Sequence, residues 1–321
     1  MKTWGVVLLT IIAVIVVLLI IGLLFWNQLK KFIFGFIFSP ELNCWNLDKV
    51  FKNININCNG MNDLSKFNLD LAKNLIKVNL LSYGLTCGYN DPSDFTNAEY
   101  IGVISGRSRE INLTTDEPYI YIWKCNNNLI VSIRGTLSNE GWMSDAMFKT
   151  ESSKIFNNNP SVLVHRGFNR LYESMRHKLL AIINHMLKDG SINNIVIIGH
   201  SLGASLALLA SYDIVVNSKL SNNESLVVYT IGCPRTGNKE FAVEMEKVNN
   251  FRIQNMADII PQVPPPSVYG NEFSHTFPVL QFKDWRTTIS YNHTPYIYLQ
   301  GLNRLDKSPY RYLSEYSDLD A

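Results

Sequence analysis

One pentapeptide constrains this chain more than any other: Gly199-His200-Ser201-Leu202-Gly203. Ahead of it lies Ile195 to Ile198 (IVII), a short β-branched run that reads as a buried strand. Behind it lies an Ala/Leu-rich stretch from about Leu202 to Val216 that reads as a helix. A strand and a helix joined by G-x-S-x-G must turn sharply, which lifts the serine hydroxyl above the edge of a sheet. Glycines on either side let neighbouring backbone approach the strained turn without a Cβ in the way. At the helix N-terminus, amides without intrahelical partners favour developing negative charge.

Segments of alternating type surround this unit. Pro118 to Lys124 (PYIYIWK) and Leu129 to Arg134 (LIVSIR) bracket Asn126-Asn127-Asn128 and predict a hairpin. Apolar residues at 168, 171, 172, 175, 179, 182, 183, 186 and 187 follow the i, i+3, i+4, i+7 spacing of an amphipathic helix. Leu226 to Ile231 predicts a strand, Asn238 to Val248 a helix, and Phe251 to Gln254 another strand. Such alternation from about residue 62 onward implies an α/β fold with a mostly parallel central sheet. Residues 62–321 are read as one catalytic-size domain, residues 40–61 as an Asn-rich linker, and residues 1–39 as a membrane anchor with a juxtamembrane segment.

The anchor reading rests on Gly5 to Trp26, 22 residues without a charge. As a helix they would extend about 33 Å, enough for a hydrocarbon core of about 30 Å. Trp4 and Trp26 flank the run, and no small-x-small cleavage site follows it, so an uncleaved single span is expected rather than a signal peptide. Phe32 to Phe38 is apolar but too short to cross. Lys2 and the α-amino group before the span nearly balance Lys30 and Lys31 after it, which leaves the side of the membrane open. Sequons at Asn112, Asn223 and Asn292 would suit a luminal domain, but five cysteines show no tight framework or CxxC pair. With 29 Lys+Arg against 27 Asp+Glu and no basic block, nucleic acid is not an expected partner. A hydrophobic fraction of 46% at low net charge excludes a disordered chain.

A serine is a weak nucleophile at neutral pH and needs a base, which in turn needs an orienting carboxylate. In α/β-hydrolases these follow in the order serine, acid, histidine. Asp258 fits the acid, in a loop entered from the strand FRIQ. Asp213 fits poorly because it lies within the helix after Ser201, and Asp284 reads as a surface residue. Two histidines lie downstream, and His293 is favoured as base over His275, whose surroundings run into a strand-like segment. No His/Cys/carboxylate cluster has metal-ligand spacing, and no cofactor is implied.

Several segments, in order, resemble the class 3, filamentous-fungal-type triacylglycerol lipases of the α/β-hydrolase superfamily. They are IRGTLSNEGWMSDA (Ile133 to Ala146), VHRGF (Val164 to Phe168), IIGHSLGASLA (Ile197 to Ala207), YTIGCPRTGNKEF (Tyr229 to Phe241) and NMADIIPQVPPP (Asn255 to Pro266). The resemblance covers about residues 62 to 303. It implies a nucleophile at Ser201, an acid at Asp258 and a base at His293, with Tyr296 as the tyrosine of the family's H-x-x-Y. It also implies oxyanion donors at Thr136 and Leu202, and a lid across Leu137 to Lys149 that presents Trp142 and Met143 to lipid. His275 falls at a second, structural histidine of the family, although the G-x-E that follows it there is replaced by Phe277-Pro278-Val279. The expected activity is hydrolysis of acylglycerol esters at a membrane or emulsion interface. The alternatives are a phospholipase A1 or diacylglycerol lipase acting on bilayer lipids, and a non-catalytic hydrolase-like binding protein, which would carry a degraded triad.

Overall fold

Ile195 to Ile198 and Leu226 to Ile231 are apolar on both faces rather than alternating, so each needs cover from two sides. The computed structural model, which describes residues 58, 61, 63–88, 97–108, 113–137, 148–156, 159–276, 279–285 and 289–305, provides that cover. Its elements in chain order are α1 (Leu69–Thr86), β1 (Glu99–Ser108), β2 (Leu113–Cys125), β3 (Asn128–Ile133), β4 (Thr150–Ser152), β5 (Leu163–His165) and α2 (Arg166–Lys188). There follow β6 (Asn194–His200), α3 (Leu202–Asn217), β7 (Leu226–Ile231), α4 (Lys239–Glu244), β8 (Asn249–Asn255), β9 (Ser267–Val268) and β10 (Asn271–Glu272). The last are β11 (Val279–Phe282), α5 (Ile289–Asn292) and α6 (Pro295–Leu305).

Seven strands form the main sheet in the order β1-β2-β3-β6-β7-β8-β11. The pairs β1–β2 and β2–β3 are antiparallel. From β3 across to β11 every pair is parallel. The expected hairpin is therefore the antiparallel flank of a parallel sheet. Because β3, β6, β7, β8 and β11 run the same way, their C-terminal ends share one edge, where ligands of open α/β sheets gather.

Helix α2 turns Phe168, Leu171, Tyr172, Met175, Leu179 and Ile183 inward, the stripe that the spacing predicts. Helix α3 is buried on all sides from Leu202 to Ile214, and its Ala/Leu composition suits a helix held between the sheet and α2. These two helices close one apolar layer. On the opposite face, α1 and α6 cover Trp123, Val196, Ile198, Tyr229 and Ile253. No motif marks α1, yet it supplies much of that second layer.

Cys58 and Cys125 form a disulfide across 67 residues, with Cα atoms 5.7 Å apart. Cys87 is disulfide-bonded as well, and Cys233 is a buried free thiol. Pairing across so long a loop has no local signature, which is why the cysteine spacing did not disclose it. Closing that loop constrains the unfolded chain by about 4 kcal/mol on the chain-entropy account. Cys58 and Met61, from the Asn-rich segment, are both buried in the second layer. Among the described residues no helix is long and apolar enough to cross a membrane. The apolar run 5–26 lies outside the described residues, as does Phe32 to Phe38.

Candidate active site

Ser201 stands between β6 and α3 with φ 58° and ψ −129°. A non-glycine residue held there costs about 1–3 kcal/mol, so its surroundings must enforce it. They do so from two sides. The Ser201 amide donates to Ile231 O of β7 at 3.1 Å, and Ala204 N donates back to Ser201 O at 2.9 Å. A Cβ on Gly203 would overlap the carbonyl oxygen of Ile133, so only glycine lets α3 start this close to β3. The Ser201 hydroxyl caps no helix amide, which leaves its oxygen available at the sheet edge.

The segment after β3 runs alongside. A Cβ built on Gly135 would lie 2.9 Å from Ser201 Cβ, and Thr136 is the next residue. Leu202 opens α3, so its amide is one of the first-turn N–H groups that no intrahelical carbonyl can take. Thr136 and Leu202 thus flank the serine from the ends of two different elements.

Asp258 lies just past the end of β8, and His293 just past α5. His293 Nδ1 sits 2.7 Å from Asp258 Oδ2. His293 Nε2 is buried and has no hydrogen-bond partner. Asp258 is fully engaged: Oδ1 accepts from Ile260 N at 2.9 Å, and Oδ2 also accepts from Tyr298 Oη at 2.7 Å. Burial and the adjacent carboxylate push the Tyr298 hydroxyl far above its ordinary pKa, so it remains a donor. Tyr296, the tyrosine that matches H-x-x-Y, is 37% exposed. The α6 backbone turns Tyr298, two residues on, toward the acid. Gly232, after β7, has φ 58°, and a Cβ there would come within 2.9 Å of His293 Cε1 and 3.1 Å of Asp258 Oδ2.

Asn255, at the end of β8, fastens the two loops together. Its Oδ1 accepts from Asp284 N at 3.0 Å and Ala257 N at 3.2 Å. Its Nδ2 donates to Asp284 O at 3.0 Å and Asn292 O at 3.2 Å. Asn292 returns a bond from Nδ2 to Ala257 O at 3.2 Å. Asp284 is therefore not a surface residue; it is 4% exposed and pairs with Arg304 at 2.7 Å.

The other candidates are occupied elsewhere. Asp213 is buried in α3, bound by Arg176 at 2.8 Å and by Tyr172 Oη at 2.6 Å. His275 Nε2 lies 2.6 Å from Pro261 O, and burial holds its pKa well below the ordinary value. Burial raises the Cys233 thiol to about 11, so it offers no thiolate near neutral pH. Trp142 and Met143, expected on a lid, lie outside the described residues. Tyr83 and Tyr298 are site neighbours that no motif covers, whereas Gly232 and Asn255 stand inside matched segments that imply no role for them.

Comparison with known proteins agrees with this frame. The sequence model of the lipase (class 3) family matches residues 130–268. The chain is 31% identical over 174 residues to Phospholipase A1-Ialpha2, chloroplastic, of Arabidopsis thaliana, covering 48% of this chain and 35% of that one. It is 32% identical over 136 residues to the lipase of Rhizopus niveus, covering 42% and 34%. It thus spans about a third of the length of these relatives. The lipase structure from Rhizopus microsporus var. chinensis matches with a TM-score of 0.57 at 24% identity, over 68% of this chain and 76% of that one, which is a likeness of fold. Residues 130–268 thus carry the sequence pattern of the class 3 lipase family.

Proposed function

We propose that this class 3 lipase-family chain is a membrane-anchored serine carboxylic-ester hydrolase acting on acylglycerols, with Ser201 as nucleophile, His293 as base and Asp258 as its orienting acid. The observation that carries the reading is the His293 imidazole. One nitrogen is held 2.7 Å from a buried carboxylate, and the other is buried without a partner, beside a strained serine at the same sheet edge.

In this reading Asp258 fixes the proton on His293 Nδ1 and leaves Nε2 basic. Nε2 takes the Ser201 proton as Oγ attacks the ester carbonyl, and Asp258 stabilises the resulting imidazolium. The tetrahedral oxyanion is met by the amides of Thr136 and Leu202, each worth about 2.7–4 kcal/mol in comparable sites. His293 then returns the proton to the departing alcohol, and water hydrolyses the acyl-enzyme by the same exchange.

Met256 (61% exposed) and Ile259 flank Asp258, and Trp285 (65% exposed) follows β11. Apolar side chains on loops beside the acid and base favour a lipid surface as substrate. The run 5–26 supplies the proposed anchor. The Cys58–Cys125 disulfide supports an oxidising compartment, and so a luminal or extracellular face for this domain. A phospholipase A1 reading is favoured by the relatives of that name, two of them at 31% identity.

The test is fatty-acid release by the full-length chain in detergent, with Ser201→Ala as blank, from tributyrin swept through its solubility limit and from phosphatidylcholine vesicles. Ser201-dependent release that jumps when the emulsion forms supports an interfacial acylglycerol lipase. Faster release from the vesicles replaces it with the phospholipase reading. No Ser201-dependent release from either overturns the proposal.

A further inference from the structure

A hydrogen-bonded chain outside the triad ties its base to the oxyanion segment. The Gly135 amide donates to Tyr83 Oη at 2.7 Å. Tyr83 Oη lies 2.7 Å from His200 Nδ1, and His200 Nε2 lies 2.7 Å from His293 O. Both ends of this chain are chemically fixed. A carbonyl oxygen only accepts, so His200 carries its proton on Nε2 and donates to His293 O. A backbone amide only donates, so one acceptor site of Tyr83 Oη is filled and its proton goes to His200 Nδ1. The two assignments, reached from opposite ends, agree on a single neutral tautomer.

The surroundings keep it so. His200 is 3% exposed, and burial together with the neighbouring His293 holds its pKa well below the ordinary histidine value. Burial pushes the Tyr83 hydroxyl far up, so it keeps the proton it donates. The His200 and His293 rings lie 4.6 Å apart between centroids.

We propose that Tyr83 and His200 are positioning residues for the ester-hydrolysing site: the chain Gly135–Tyr83–His200–His293 locks the backbone of the base to the segment that carries Thr136. His293 then has two independent holds. Asp258 grips its side chain, and His200 grips its main chain. Asp258 alone would leave the ring free to pivot about Nδ1, and a displacement of about 1 Å in such a site costs about a hundredfold in rate. Four segments distant in sequence meet here: α1 gives Tyr83, the segment after β3 gives Gly135, the end of β6 gives His200, and the loop after α5 gives His293. The proposal rests on the Ser201–Asp258–His293 reading.

The experiment compares Tyr83→Phe, His200→Leu and His200→Gln in the full-length chain, with kcat expressed per site titrated by a fluorophosphonate. Tyr83→Phe keeps the ring and removes only the hydroxyl. It is expected to lower kcat about tenfold with KM within about twofold. His200→Leu, which cannot donate to His293 O, is expected to lose about a hundredfold. His200→Gln, whose amide can donate there, should recover most of that loss. Equal kcat in wild type, Tyr83→Phe and His200→Leu, with only thermal stability reduced, would overturn the proposal and leave the pair a packing role. Nitrogen-15 spectra of the wild type give a check that needs no variant. An Nε2–H tautomer of His200 at pH 7 is expected, and an Nδ1–H tautomer or an imidazolium contradicts the chain. A wild type that neither labels at Ser201 nor hydrolyses esters would instead sink the parent reading.

Discussion

Tyr298 Oη lies 2.7 Å from Asp258 Oδ2, the same carboxylate oxygen that faces His293 Nδ1. Asp258 is 2% exposed, so this hydroxyl substitutes for water around a buried charge. Hydrogen bonds to charged groups contribute about 1.5–3 kcal/mol. Tyr298→Phe should therefore lower unfolding free energy by that amount and reduce kcat by less than about tenfold, because Ile260 N still holds Oδ1. Urea unfolding and steady-state kinetics on the one variant test both numbers. An unchanged midpoint would mean that the hydroxyl contributes nothing at Asp258.

Gly232 offers a steric test of the same pair. A methyl group there would meet His293 Cε1 at 2.9 Å and Asp258 Oδ2 at 3.1 Å, at a residue with positive φ. Gly232→Ala is expected to cut kcat by about a hundredfold, through displacement of the imidazole. Fluorophosphonate labelling should slow in parallel while the far-UV spectrum stays unchanged. Wild-type labelling kinetics would show that the imidazole has more room than the contacts allow.

Two buried histidines predict acid sensitivity. His200 and His275 have folded pKa values held well below the ordinary value, His200 by burial and His293, His275 by burial and the guanidinium groups of Arg252 and Arg235. Unfolding restores the ordinary value of about 6.5. Below that pH the unfolded chain binds protons that the folded chain refuses, so stability falls as pH falls. Each histidine contributes up to about 1.4 kcal/mol per pH unit. Urea unfolding at pH 7 and pH 5 should show the loss, and His275→Gln should remove about one proton from the slope. An identical slope in the variant would mean that His275 titrates normally in the fold.

Much of the frame was legible because its causes are local. The run IVII, the G-x-S-x-G turn and the Ala/Leu helix are contiguous, and each residue type suits its own element. The stripe from Phe168 to Met186 was readable for the same reason. What stayed hidden depends on long-range meetings. Tyr83 reaches His200 across 117 residues, and Asn255 reaches Asp284 across 29, with no periodicity to mark either. Asp284 read as a surface residue because an aspartate near the end of a strand usually is one. Here the Asn255 amide and Arg304 make its burial tolerable. Tyr298 lies outside the H-x-x-Y pattern, and only side-chain direction on α6 brings its hydroxyl to Asp258.

Asn112 lies outside the described residues, and the other two sequons separate by burial. Asn292 is fully buried and donates to Ala257 O, so a glycan cannot be attached there in the folded domain. Asn223 is exposed in the turn between α3 and β7. Expressed through a eukaryotic secretory pathway, the chain should carry a glycan at Asn223 and none at Asn292, as read by peptide mass before and after glycosidase treatment. A glycan on Asn292 in active protein would contradict the clasp around Asn255.

If Ser201 is the nucleophile, it is acylated in turnover. Rapid mixing of the full-length chain with a 4-nitrophenyl ester, acid quenching and peptide mass analysis measure this directly. A burst of 4-nitrophenolate and an acyl group on the peptide holding Ser201 are expected, with both lost in Ser201→Ala and the burst slowed by about 10⁴ in Asp258→Asn. Ester hydrolysis with no acyl group on Ser201, undiminished in Ser201→Ala, would contradict it.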